Sequence, residues 1–158
     1  MRQLFITVLV LILSVSAQAA QYMDKTEFQA LRAYSPGVIT QGGKIIWVSG
    51  QTALVDANGQ DISNDFDAQA KQVFRLIDQI LNKANAQLEN IVQMTVFLKD
   101  SKNGEKLQQI RKDIFQNGNY PASSLITASG FARPGIEIEI QVVAVINDEC
   151  SKEHLCSH

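Results

Sequence analysis

The clearest strand in the sequence is Ile136-Glu137-Ile138-Glu139-Ile140-Gln141-Val142-Val143-Ala144-Val145-Ile146. Isoleucine, valine and alanine occupy every second position, and Glu, Glu and Gln lie between them before valine takes over. Alternation with a period of two is typical of a β-strand that buries one face. This stretch therefore predicts a half-buried strand near the end of the chain, in a sheet that is covered on one side.

Two helices and further strands are predicted before this strand. Apolar residues recur at helical spacing over 64–84, with Asn64 as the predicted N-cap, and again over 103–115. A glycine turn at 41–44 predicts a hairpin between 38–39 and 45–48. Other segments complete the pattern: a short helical turn within 21–33 and strands over 91–98 and 124–129.

The resulting order, ββ-α-β-α-ββ, predicts an α+β fold in which two helices cover one face of a single mixed sheet. The other face carries Ile91, Phe97, Val143 and Val145, which a monomer would leave in water. Packing of the sheets in an oligomer would bury them. The chain has 158 residues, of which 46% are hydrophobic, and these values fit one domain.

The first residues have the pattern of a secretory signal peptide. Arg2 precedes an apolar run over 4–15, and small residues with an Ala-x-Ala pattern follow over 16–20. The run of about 12 residues is shorter than the roughly 20 that span a bilayer. We expect cleavage after Ala19, a periplasmic or secreted protein and no stable membrane anchor afterwards. An uncleaved anchor is the alternative.

The predicted division of the chain is a signal peptide over 1–19, a lead-in over 20–33, a domain over 34–147 and a tail over 148–158. Both cysteines, Cys150 and Cys156, lie in that tail. In an oxidising compartment they can form a local disulfide. His154 and His158 offer a soft-metal alternative, although the spacing matches no standard zinc site. An inert tail is the third alternative.

The composition and motifs exclude several classes of function. The formal net charge is −2, with 14 basic and 16 acidic side chains, which argues against tight binding to nucleic acid. No phosphate-binding loop, dinucleotide fingerprint, nucleophile elbow or His-Glu-x-x-His zinc motif is present. The histidines and cysteines all lie in the tail, so a catalytic triad or a cysteine nucleophile is disfavoured. We expect neither a cofactor nor a metal.

Polar residues at strand ends remain as candidates. Glu139 belongs to the polar face of the last strand, where it is either solvated or a general base in a cleft. Gly50 lies in Ser49-Gly50-Gln51, either as a simple turn or as backbone close to a ligand. Ser123 begins a strand, where a side chain often faces a cleft.

Five motifs in register resemble the Rid family, also called YjgF or L-PSP. They are Tyr34-Ser35-Pro36-Gly37-Val38, Trp47-Val48-Ser49-Gly50-Gln51, Thr95-Val96-Phe97-Leu98-Lys99-Asp100, Tyr120-Pro121-Ala122-Ser123-Ser124 and Ile138-Glu139-Ile140. The resemblance implies a chorismate-mutase-like fold and a homotrimer with clefts between subunits. In the best-known members those clefts hydrolyse reactive enamines and imines, such as 2-aminoacrylate, to 2-oxo acids and ammonia.

The resemblance also implies site residues. Glu139 matches the family's strand carboxylate, Tyr34 its aromatic residue and Gly50 the glycine that lines the cleft. The family's carboxylate-holding Arg is Ser123 here, and a neutral hydroxyl should weaken substrate binding on the order of 10²-fold. Lys102, where the family often has Asn, and Arg133, in the loop before the last strand, are the other cations considered.

Three functions follow from this pattern. The first is a Rid-like trimer that binds a small metabolite in the cleft, with deaminase activity weak, altered or absent because Ser123 replaces the Arg. The second is a working imine or enamine deaminase, a hydrolase in which Arg133 or Lys102 supplies the missing cation. The third is a non-catalytic scaffold that binds a protein partner. Ribonuclease activity is the least favoured, since the core has neither a basic patch nor a histidine.

Overall fold

Four strands and two longer helices form the centre of the protein, in a computed structural model that describes residues 20–147. The elements, in chain order, are β1 (Ala20–Tyr22), α1 (Glu27–Leu31), β2 (Val38–Thr40), β3 (Lys44–Gln51), α2 (Phe66–Asn82), β4 (Ile91–Leu98), α3 (Gly104–Ile114), β5 (Ala122–Thr127) and β6 (Ile138–Ile146). Short 3-10 turns at Leu88–Asn90 and Ser101–Asn103 precede β4 and α3. The predicted signal peptide, the tail and both cysteines lie outside the described residues.

The main sheet is mixed, with the strand order β3-β6-β4-β5. β6 is antiparallel to both of its neighbours, and β4 and β5 are parallel. Parallel neighbours need a crossover connection, which α3 provides between β4 and β5. The predicted α+β class with one mixed main sheet is therefore confirmed.

The core lies between the main sheet and α2. Ile138, Ile140, Val142 and Ala144 are fully buried, as the alternation predicts, and Met94, Val96 and Leu98 of β4 share the same face. α2 covers this face with a buried stripe at helical spacing: Phe66, Ala70, Val73, Phe74, Ile77 and Leu81. The apolar stripe of α2 thus packs against the apolar faces of β4 and β6 in one layer.

The buried side chain of Gln69 fastens α2 to the loop before β6. Its amide nitrogen donates to the carbonyls of Ile62 at 2.9 Å and Gly135 at 2.6 Å. Its amide oxygen accepts from the backbone N–H of Glu137 at 2.8 Å. Ladder pairing of β6 consequently starts at Ile138, two residues later than predicted.

The predicted hairpin between residues 38–39 and 45–48 is wrong. β2 pairs with β1 in a separate two-stranded sheet, with Ala20 opposite Thr40, and β3 pairs with β6. Gly42 and Gly43 have φ values of 66° and 86°, so the chain turns between the two sheets there. The helical turn predicted within 21–33 is α1.

Other predicted boundaries shift by one or two residues. Asp65, not Asn64, caps α2 by accepting from the backbone N–H of Ala68, while Asn64 adopts a φ of 61°. Asparagine tolerates this left-handed conformation better than most residues. β5 begins at Ala122 rather than at 124.

The face of the sheet opposite the helices is open, although different residues are exposed from those predicted. The prediction for Ile91 is wrong: a register shift before Gln93 pairs it with the core residue Ala144, so Ile91 belongs to the core on the helix-covered side. Val145 is already buried within one chain, and Phe97 and Val143 are half-buried. Tyr22 donates to the carbonyl of Ile91, so β1 covers that end. The large apolar side chains left exposed on this face include Ile45 at 52%, Trp47 at 75% and Ile126 at 44%.

None of the helices within residues 20–147 has the length and apolar character needed to cross a membrane.

Candidate active site

Ser123 lies on the helix-covered face of β5. Its Cα is paired with that of Met94, whose side chain is fully buried in the core beneath the helices. Because side chains alternate along a strand, Ser123 and Leu125 face α3, and the side chain of Leu125 lies beside Gly104 at the start of that helix. The Ser123 hydroxyl accepts a hydrogen bond of 2.9 Å from Nη1 of Arg111.

Arg111 brings a guanidinium to the position where Ser123 replaces the arginine of the resembled family. It lies on α3 in a buried stripe with Gly104 and Leu107, and it is only 4% exposed. Its Nη2 donates to the carbonyl of Arg32 at 2.7 Å. Its Nε is buried and has no hydrogen-bond partner within residues 20–147.

No carboxylate neutralises this guanidinium within the described part of the chain. The two ion pairs found there are Lys99–Glu137 and Lys106–Asp67. Burial, and secondarily the positive charge of Arg32, lower the pKa of Arg111 to about 10. Arg111 therefore stays charged at neutral pH, and an unpaired buried cation favours the entry of an anion.

A cavity of about 190 Å³ opens beside the guanidinium. Its lining residues come from α1, α3, β5 and the segment after α1: Phe28, Arg32, Tyr34, Gly104, Arg111, Ser123 and Leu125. Two larger hollows among the described residues, of about 240 and 410 Å³, lie at the edge of β1 and between α2 and α3. Neither is lined by Arg111, so we place the chemistry at the cavity beside the guanidinium.

Tyr34 reaches this cavity because its neighbour is fastened to the chain before β5. The buried Ser35 donates its hydroxyl to the carbonyl of Tyr120 at 2.6 Å, and its backbone N–H donates to the carbonyl of Pro121. Ser35 also forms a parallel bridge with Ala122. The motifs around Tyr34 and Ser123, 89 positions apart in the sequence, thereby line one cavity.

Glu139 and Gly50 form a second group on the open face of the sheet. Glu139 is paired with Phe97, and its side chain alternates with the buried Ile138 and Ile140. Its carboxylate lies so close to the backbone of Gly50 that a Cβ there would overlap Oε1. Position 50 must therefore be glycine if this carboxylate is to keep its place.

Within one chain, Ser123 and Glu139 do not share a crevice, because they lie on opposite faces of the sheet. Nor do the two expected cations reach the cavity beside Ser123. Arg133 is exposed and donates to the Thr52 hydroxyl at 3.2 Å, and Lys102 is exposed in the turn before α3. Within residues 20–147 no group of three acidic, histidine or cysteine side chains could hold a metal ion.

Comparison with known proteins identifies the family. The family model described as endoribonuclease L-PSP matches residues 24–146. The chain is 33% identical to the 2-iminobutanoate/2-iminopropanoate deaminase of Rattus norvegicus over 116 residues, covering 73% of this chain and 82% of the rat protein. The human deaminase of the same name is 30% identical over the same shares of both chains.

Solved structures agree in fold. A conserved Rid family protein, YyfB from Yersinia pestis, superposes with a TM-score of 0.73 at 20% identity, over 82% of this chain and all of its own. Yeast Mmf1 superposes with a TM-score of 0.57 at 27% identity, over 72% of this chain and 86% of its own. With the fold and the family model in agreement, the chain belongs to the endoribonuclease L-PSP family, the Rid or YjgF family.

Proposed function

We propose that this protein hydrolyses small 2-imino or 2-enamino acids and that Arg111 holds their carboxylate. The observation that carries the proposal is the buried guanidinium beside Ser123, because a charged fork is what a neutral serine lacks. The deaminases of rat and man, to which the chain is similar, lend support through their names. The geometry thus favours a working deaminase over a metabolite-binding protein with weak, altered or absent activity. Arg111, rather than Arg133 or Lys102, supplies the cation.

In this proposal Ser123 positions the cation rather than binding substrate by itself. Its hydroxyl accepts from Nη1, and the carbonyl of Arg32 accepts from Nη2. Both bonds restrain the plane of the guanidinium. Each Nη keeps one further N–H for a carboxylate, whereas Nε is buried, and Tyr34 supplies a wall of the cavity.

The hydrolysis itself needs a water molecule and a carboxylate to orient it. Water adds to the carbon of the C=N bond, the resulting carbinolamine loses ammonia, and a C=O bond remains. We assign the orientation of that water to Glu139. Because Glu139 and Arg111 lie on opposite faces of one sheet, a complete site requires Glu139 from another copy of the chain, as in a homotrimer with clefts between subunits.

An oxidase-coupled assay tests the proposal directly. An amino-acid oxidase generates the imino acid, and release of the 2-oxo acid is followed with and without the protein. We expect Arg111→Gln to lower kcat/KM on the order of 10²-fold, the size expected for a lost charge-assisted clamp. Lys112→Gln, a neighbouring charge that lies outside the cavity, should change it little. Wild type that does not exceed spontaneous hydrolysis would refute the function.

Exchanging the residues at positions 111 and 123 distinguishes loss of carboxylate binding from loss of the fold. Ser123→Arg alone places a second guanidinium against Arg111, so we expect activity to fall rather than rise. In the double variant Ser123→Arg/Arg111→Ser the cation returns to the family's position, and activity should recover above that of either single variant. A double variant no better than the singles would argue against Arg111 as the carboxylate-binding group.

A further inference from the structure

We propose that the Arg111 cavity selects imino acids that carry a second carboxylate, which Arg32 binds. The inference rests on the proposed function and adds a substrate class to it. Two arginines line this one cavity, and its lining contains no acidic side chain. A substrate with a single carboxylate would leave one of the two positive charges uncompensated, whereas a dianion neutralises both.

The two arginines are held together by the fold. Arg32 is the C-cap of α1, and its carbonyl accepts from Nη2 of Arg111, so the backbone of Arg32 lies against the buried guanidinium. The charge of Arg32 also acts on Arg111, since it contributes to lowering the pKa of that side chain after the larger effect of burial. The two positive charges therefore belong to one electrostatic site.

The two charges differ in depth. Arg111 is 4% exposed, whereas Arg32 is an exposed residue. The guanidinium of Arg32 lies over the ring of Phe28, with 5.6 Å between Cζ and the ring centroid, and Phe28 itself lines the cavity. This cation–π contact favours one placement of a long, flexible side chain. The deep group suits the carboxylate next to the C=N bond, and the outer group suits the carboxylate at the far end.

The cavity that the two arginines line also has apolar side chains. Phe28 and Leu125 line the same cavity and are 61% and 45% exposed. They can contact the methylene groups that join two carboxylates. The volume of about 190 Å³ admits a short dicarboxylate. The reaction is the same hydrolysis: an imino dicarboxylate and water give a 2-oxo dicarboxylate and ammonia.

The first test compares a substrate that ends in a carboxylate with one that ends in a methyl group. Imino acids are generated by oxidases from glutamate and from 2-aminobutyrate, and kcat/KM is measured for each. We expect wild type to prefer the dicarboxylate about fivefold, the size of a partly exposed charge pair. Arg32→Gln should abolish the preference, Arg32→Lys should keep part of it, and Lys25→Gln, outside the cavity, should leave the ratio unchanged.

The second test needs no turnover. Succinate and butyrate have the same carbon chain and differ in one carboxylate, so their effects on the melting temperature compare the two anions directly. Succinate should stabilise wild type more than butyrate does, and Arg32→Gln should remove that advantage. Arg111→Gln should weaken the stabilisation by both.

The outcomes separate the two proposals. If monocarboxylate imines are hydrolysed but the dicarboxylate is not preferred, or if Arg32→Gln leaves the ratio unchanged, the substrate class is wrong and the function stands. If no imine is hydrolysed, the function is wrong, and the comparison of succinate with butyrate still decides whether the cavity is a dianion site. Equal stabilisation of wild type by both anions overturns the inference.

Discussion

The buried positive charge of Arg111 lowers the free energy of unfolding. Burial and the neighbouring Arg32 lower its pKa to about 10, which corresponds to a destabilisation of about 3 kcal/mol at roughly 1.4 kcal/mol per pKa unit. Both the folded and the unfolded chain carry this proton at neutral pH, so the full cost is present there. It is relieved as the pH rises through about 10, where the folded state releases the proton first.

We therefore expect Arg111→Met to be at least as stable as wild type near neutral pH, although it loses two hydrogen bonds and its activity. Replacing even a paired buried charge with apolar side chains of similar volume is often neutral or stabilising, and Arg111 has no carboxylate partner within residues 20–147. Urea unfolding of both proteins measures the difference. Any advantage of the variant should shrink above pH of about 10, where wild type sheds the charge. A variant clearly less stable at neutral pH would contradict the assigned cost.

Gly50 permits a prediction that separates folding from chemistry. Alanine at position 50 would place its Cβ on Oε1 of Glu139, the mobile end of a side chain, so the carboxylate can move away while the strand stays intact. We expect Gly50→Ala to fold with nearly unchanged melting temperature and to lose activity through kcat. Gly130→Ala is the matched control, since nothing lies within 4 Å of a Cβ there. Equal activity of both variants would remove Glu139 from the mechanism.

The sequence indicates some of these residues and conceals one. The motifs around Tyr34, Gly50, Ser123 and Glu139 can be recognised because their order and spacing resemble those of the family. Arg111 has no motif, and a long cationic side chain on a helix usually extends to solvent. The available signal is its spacing: Gly104, Leu107 and Arg111 follow one helical stripe, which places the guanidinium on the buried side.

At the scale of elements, the Gln69 side chain joins α2 to the start of β6. It satisfies two buried carbonyls and one N–H, and Gln69→Leu would leave all three without this partner. We expect a loss of about 2–4 kcal/mol in the free energy of unfolding, measured in urea. Gln79→Leu, on an exposed position of the same helix, should cost far less. A Gln69 variant as stable as this control would mean that water replaces the side chain.

Sequence patterns do not predict which partner a short strand pairs with. The sequence predicts β4 with its observed bounds, because apolar and polar residues alternate over most of its eight positions. β1 and β2 have three residues each, too few to show a period, and the glycine turn after β2 favoured the nearer partner. The pairing with β1 depends on where residues 20–22 lie in space, and a local pattern carries no such information.

At the scale of the whole molecule, the open sheet face bears on assembly. Glu139 lies on this face together with the exposed side chains of Ile45, Trp47 and Ile126. If copies of the chain pack there, as the proposed homotrimer requires, these side chains become buried and the divided site is completed.

Trp47→Glu should therefore dissociate the assembly into folded monomers and abolish hydrolysis, because its side chain is 75% exposed and contributes little to the monomer core. Sedimentation velocity measures the mass, and circular dichroism checks the fold. Val55→Glu changes another exposed apolar residue, at 53%, away from the main sheet, and should leave mass and activity unchanged. Hydrolysis by a Trp47→Glu monomer would show that one chain carries a complete site.

Trp47 is the single tryptophan of the chain. Its indole is largely in water when the chain stands alone, so the ultraviolet emission of the protein comes chiefly from one solvent-facing fluorophore. Docking of another copy over that ring would shift the emission to shorter wavelength, and dilution would reverse the shift. Intrinsic tryptophan fluorescence therefore reports self-association without a label, and a serial dilution yields the dissociation constant.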